Sequence, residues 1–117
     1  GGENIYFQWA NTPISETELA RSTMKAFYEE IKYYDYSRPQ FNLPAAHFTN
    51  LVWRAVRQIG IGVFENDYYG RHGACNVQAS RHHPARGYMV VIHHSPNSNI
   101  MSTAEFSANV LRPQRMF

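Results

Sequence analysis

The sequence predicts a single α+β domain over residues 1–117, with two amphipathic helices placed ahead of two strands. Three observations predict it. A capping box at Ser15 opens a run of helical periodicity, an apolar stripe of helical spacing starts at Phe48, and two β-rich runs follow, separated by a polar excursion. At 44% hydrophobic content the 117 residues fill one core, and the composition marks no second domain.

Residues 1–14 mix Gly, Asn, Thr and Pro around a short aromatic run, which reads as a loop leading to the first helix. In Ser15-Glu16-Thr17-Glu18 the Ser hydroxyl can accept from a free N–H while Glu18 reaches back to the cap residue, so a helix starts there. Leu19, Ala26, Phe27, Ile31 and Tyr34 recur near the helical period, and Arg38-Pro39 lies beyond its end, giving a helix over roughly 16–34. Pro44 precedes a second helix. Its apolar residues Phe48, Leu51, Val52, Ala55, Val56 and Ile59 form the strongest periodic signal in the chain. Arg54 and Arg57 fall off that stripe, Arg57 near enough to the helix end to favour the dipole, and Gly60 sits where a left-handed C-cap belongs.

Ile61-Gly62-Val63-Phe64 then reads as a short strand and Tyr88 to His93 as a longer one rich in β-branched residues. Between them, residues 65–87 have the Asn, Asp, Gly, His and Pro content of an exposed excursion, with one more short strand around Asn76 to Ala79. Pro96-Asn97-Ser98-Asn99 is a turn by composition, and Asn109 to Pro113 reads as a docked extended segment.

Lys and Arg number 11 against 9 Asp and Glu, far short of the basic stripe that phosphate binding needs, so nucleic acid is not an expected partner. Six His raise the positive charge as pH falls through about 6.5, which would make any attraction to anionic membranes pH-dependent. Cys75 is the only cysteine. The fold therefore cannot rest on an internal disulfide, and no helix start or cationic cluster marks that thiol as activated. No apolar run approaches the roughly 18–20 residues that span a bilayer, and no signal-like block follows the N-terminus.

His47-Phe48-Thr49-Asn50-Leu51-Val52-Trp53, read with Gly2-Glu3-Asn4-Ile5 and with the run from Met89 to Asn99, resembles the CAP superfamily (SCP/TAPS). Within it the chain looks most like the Golgi-associated plant pathogenesis-related branch. The seven residues from His47 match that family's central signature of His, aromatic, Thr, polar, two aliphatics and Trp. Departures are Asn50 where Gln is common, Ala46 and Val56 at the edges, and, in the looser second signature, His94 for the usual Tyr and Ser98 for the usual Gly. The resemblance implies an α-β-α sandwich, here without the family's N-terminal helix and the second cavity His that follows it. Glu3-Asn4-Ile5-Tyr6-Phe7-Gln8 has a competing explanation, being one conservative change from a widely used protease-recognition linker.

The family's cavity combines two His and two Glu, which the resemblance carries onto His47, Glu30 and Glu3, with the other His upstream of the chain. A neutral imidazole is a good zinc ligand and a hydrogen-bonded carboxylate fixes its tautomer, so zinc at His47 is the cofactor the resemblance suggests. A lone His is not a metal site, and without the resemblance His47 reads first as a helix-entry residue bonded to a carboxylate; the resemblance turns it into a cavity residue. Glu30 likewise reads as a solvated helix face, Glu29 more so. His82-His83 and His93-His94 are adjacent pairs, which on a strand point to opposite faces and do not converge on one ion.

No nucleophile motif is present. The resemblance therefore implies a non-enzymatic binding module whose partners are lipid, sterol or an anionic membrane surface, with protein partners and a homodimer as further candidates. A zinc-dependent hydrolase or protease acting through His47 is one alternative. A host- or immune-interaction protein acting through loops such as 65–87 is the other. The single Cys favours a Golgi or cytosolic membrane face, with secretion as the alternative.

Overall fold

The computed structural model describes residues 1–68, 70–72, 77–79 and 85–114; Cys75, His82 and His83 lie outside them. Its first element departs from the sequence expectation, because Gly2–Ala10 is not a loop but a strand, β1. It pairs antiparallel along its whole length with β5 (Ala85–Ser95), from Gly2 opposite His94 to Ala10 opposite Arg86. The usual alternation is inverted here, which hid it: polar Asn4 faces inward, 1% exposed, while Phe7 faces outward, 59% exposed.

The first helix, α1 (Glu16–Tyr28), starts at the expected cap, where the Glu18 N–H donates to Ser15 Oγ at 3.1 Å. Its last expected turn tightens into a 3-10 segment, Glu29–Tyr33. A second 3-10 turn, Leu43–Ala45, carries Pro44 and leads into α2 (Ala46–Val52). This helix is much shorter than its apolar stripe. The Arg54 N–H donates to the Asn109 carbonyl at 3.0 Å and the Ala55 N–H to Asn109 Oδ1 at 2.9 Å, so these donors leave the helical ladder. Val52, Ala55 and Val56 still pack on the core, Val52 from the last position of α2 and the other two from beyond its end. Gly60 is consequently no helix cap; it lies within β2 (Gln58–Tyr68). Arg57 does not take the expected place at a helix end, because α2 stops at Val52; it donates instead to the carbonyls of Arg54 and Val56 in the connection to β2.

β2 pairs antiparallel with β5, from Gln58 opposite Ser95 to Tyr68 opposite Ala85, giving the strand order β1-β5-β2. The excursion expected from residue 65 therefore begins later. The short strand expected near Asn76 is present as β4 (Val77–Ala79), paired with β3 (Gly70–His72). At the C-terminal end a helix that the sequence reading missed, α3 (Thr103–Asn109), is capped by Ser102, whose Oγ accepts from the Glu105 N–H at 3.4 Å. Only its last residue belongs to the segment expected as extended.

The mixed α+β architecture is thus as predicted. Leu19 and Phe27 of α1 pack on Tyr88, Val90 and Ile92 of β5. A second cluster joins Phe48 and Trp53 to Tyr34, Ala45, Phe106 and Val110. On the other sheet face Phe7 and Phe64 stand exposed.

Candidate functional site

The first turn of α2 has no side-chain cap of its own, since Ala45 occupies the cap position. Glu30, in the 3-10 segment after α1, supplies one from outside. Its Oε1 accepts from the backbone N–H groups of His47 and Phe48 at 2.9 and 3.2 Å, and its Oε2 lies 2.8 Å from His47 Nδ1. A carboxylate accepts only, so Nδ1 carries the proton, and in the neutral imidazole Nε2 holds the free lone pair. The ring stacks on Phe27 with centroids 5.0 Å apart and planes 11° apart. His47 is therefore fixed in tautomer and orientation while its side chain stays partly open to solvent.

Glu3 does not join this pair. Its carboxylate meets His93 Nε2 at 2.6 Å, across the β1–β5 ladder where the two residues are directly opposite. Successive strand residues alternate in direction, so the neighbouring Asn4 turns the other way and donates from Nδ2 to the His47 carbonyl at 2.9 Å. The expected trio resolves into His47–Glu30 inside and Glu3–His93 outside. The adjacent histidines diverge as the strand geometry requires, His93 exposed and His94 buried.

The sequence reading gave no role to a buried chain of polar groups beside His47. Asn50 Nδ2 donates to Asn4 Oδ1 at 2.9 Å and to the Glu3 carbonyl at 3.2 Å, while its Oδ1 accepts from Ser98 Oγ at 2.6 Å. Ser98 Oγ is in turn 3.3 Å from His94 Nδ1. In parallel, Thr49 Oγ1 donates to Asn99 Oδ1 at 2.6 Å and Asn99 Nδ2 donates to the Ala46 carbonyl at 2.9 Å. Asn99 takes a positive φ of 52° that Asn tolerates better than most residues. Gly2 is required as well, because a Cβ there would collide with the Ser98 hydroxyl. The three recognised motifs thus meet in one network, and the signal for it was their polar content at buried positions. Burial, followed by the His93 charge, pushes the His94 imidazole below its ordinary range.

These groups do not fit a metal centre by themselves. Among the described residues no three His, Cys, Asp or Glu side chains are placed to hold an ion, and His47 offers Nε2 alone. Away from this pair, an apolar groove of about 310 Å³ runs between α1 and β2, lined chiefly by Leu19, Met24, Ile61, Val63, Val90 and Ile92. His47 and Glu30 take no part in it. No helix among the described residues is long and apolar enough to cross a membrane.

The chain matches the model of the CAP, or cysteine-rich secretory protein, family over residues 1–78, a span that takes in β1. It is 28% identical over 114 residues to Golgi-associated plant pathogenesis-related protein 1 of Homo sapiens, covering 97% of this chain and 59% of that protein. It is 36% identical over 80 residues to Protein PRY2 of Saccharomyces cerevisiae, covering 68% of this chain and 22% of that protein. The chain therefore spans less than two thirds of either relative.

Proposed function

Because the chain belongs to the CAP, or cysteine-rich secretory protein, family, we propose that it is a binding module that takes the apolar part of a lipid, an acyl chain or sterol, between α1 and β2. The groove is the observation that carries this reading. Its volume of about 310 Å³ sits at the lower end of small-molecule sites, and its walls are aliphatic along both the helix and the strand. Glu16, the first residue of α1, is the one charged side chain among the described residues of its lining. His47 and Glu30 have a different task in this reading, which is to start α2 and lock it against the segment after α1. Zinc at His47 Nε2 would need further donors, and among the described residues none is placed to supply them.

A long-chain fluorescent fatty acid titrated into the 117-residue protein tests this. Saturable binding, competition by a sterol, and an affinity about tenfold or more weaker in Met24→Glu are expected, since that change puts a charge against the apolar wall. Binding unaffected by Met24→Glu, or none above that of an unrelated protein, overturns the groove assignment.

A further inference from the structure

We propose that two copies of this chain pair through the free edge of β2, antiparallel about a two-fold axis at Ile61, so that their sheets join into six strands. The inference concerns assembly and does not depend on lipid binding. β2 is an edge strand of 11 residues, and among the described residues its outer side has no strand beside it. A long edge presents a row of N–H and C=O groups that template another strand unless blunted by charge, Pro or a bulge. Here the middle of the edge is apolar. Ile59, Ile61 and Val63 are 60%, 58% and 57% exposed, and all three point to the sheet face that carries α1.

The sequence of this edge is complementary to itself in one register. A two-fold axis through Ile61 sets Ile61 opposite its own copy, Ile59 opposite Val63, Gly60 opposite Gly62, and Arg57 opposite Glu65. The apolar stripe is thereby closed on itself and flanked at each end by an opposite-charge pair. Moving the axis one residue back, to Gly60, sets Arg57 against Val63. Moving it one residue forward sets Ile59 against Glu65 and Arg57 against Asp67, whose Oδ1 already accepts from Arg86 Nε at 3.0 Å. Neither Arg57 nor Glu65 forms an ion pair within 4.0 Å among the described residues: one Arg57 guanidinium nitrogen donates to the carbonyls of Arg54 and Val56, and Glu65 feels Arg86 only at longer range, so each can still take a partner from a second chain. A perpendicular axis keeps α1 of both copies on one side of the joined sheet, where the two grooves meet at Ile61.

Sedimentation velocity on the 117-residue protein tests the register by charge exchange. The native chain is expected to dimerise in the micromolar range. Arg57→Glu and Glu65→Arg, each alone, place like charges opposite one another twice and should weaken association about tenfold or more. Two arms then restore it: the double variant, and an equimolar mixture of the two singles, in which each interface again holds opposite charges. The restored dimers also show that the singles are folded. A native protein that stays monomeric, a dimer indifferent to either reversal, or a mixture that remains monomeric overturns the proposal.

Discussion

Replacing Asn50 with Ala removes a residue that links β1, α2 and the turn after β5 through side-chain hydrogen bonds. Asn50 is 8% exposed, and its loss takes the donor from Asn4 Oδ1 and the acceptor from the Ser98 hydroxyl, both buried. Each buried group left without a partner costs about 1–3 kcal/mol, so the two together predict a loss of about 2–6 kcal/mol. The backbone carbonyl of Glu3 loses only a longer contact and adds little. Such a loss is a large share of the roughly 5–15 kcal/mol that stabilises an ordinary domain. At about 4 °C per kcal/mol for a chain of this size, Tm should fall by roughly 8–24 °C. Urea unfolding followed by tryptophan fluorescence reads the change, with Gln40→Ala, at an exposed position, as the comparator within about 0.5 kcal/mol of native. A loss under about 1 kcal/mol, the worth of one ordinary hydrogen bond, would refute the claim that the network is a coupled unit.

Glu30→Ala should destabilise by about 2–3 kcal/mol, because it removes a charged acceptor from two N–H groups of α2 and from the His47 imidazole; stability unchanged within error would refute the capping role. His94 makes stability pH-dependent with a definite sign. Burial holds its folded-state value below the ordinary imidazole value of 6.5, so the unfolded chain binds the extra proton more readily and stability rises with pH. The contribution is complete above about 6.5 and is lost as pH falls from there towards the lower folded value. Denaturant midpoints of native protein and His94→Asn, compared between about pH 5 and 7.5, should converge at the acid end. Parallel profiles would count against it.

Much of the fold could be read from residues that obey one rule at a time. Ser15 and Glu18 mark the start of α1, and the β-branched run from Met89 marks β5, because capping and strand propensity are local. β1 was missed because its inward position holds Asn4, whose burial is compensated only by α2, more than forty residues away. The length of α2 was overestimated for the same kind of reason. Its stripe is apolar through Ile59, but Asn109 draws off the N–H groups of Arg54 and Ala55, and no local pattern reports that. α3 had a legible signal in Ser102-Thr103-Ala104-Glu105, followed by Phe106 and Val110 at helical spacing. At the site, the His47–Glu30 pair was anticipated through the family resemblance. The register that gives Glu3 to His93 was not, since it follows from which strand lies beside β1.

Three places where this chain departs from its family's usual residues, Asn50, His94 and Ser98, are hydrogen-bonded to one another in sequence. The Ser98 hydroxyl donates to Asn50 Oδ1 and fills the space that a Cβ at position 2 would need, so the identities of residues 2, 50 and 98 depend on one another. Removing the Ser98 hydroxyl alone takes a hydrogen-bond partner from both Asn50 Oδ1 and His94 Nδ1, two buried groups. Transplanting this cluster together with Gly2 should therefore cost less stability than transplanting Ser98 alone.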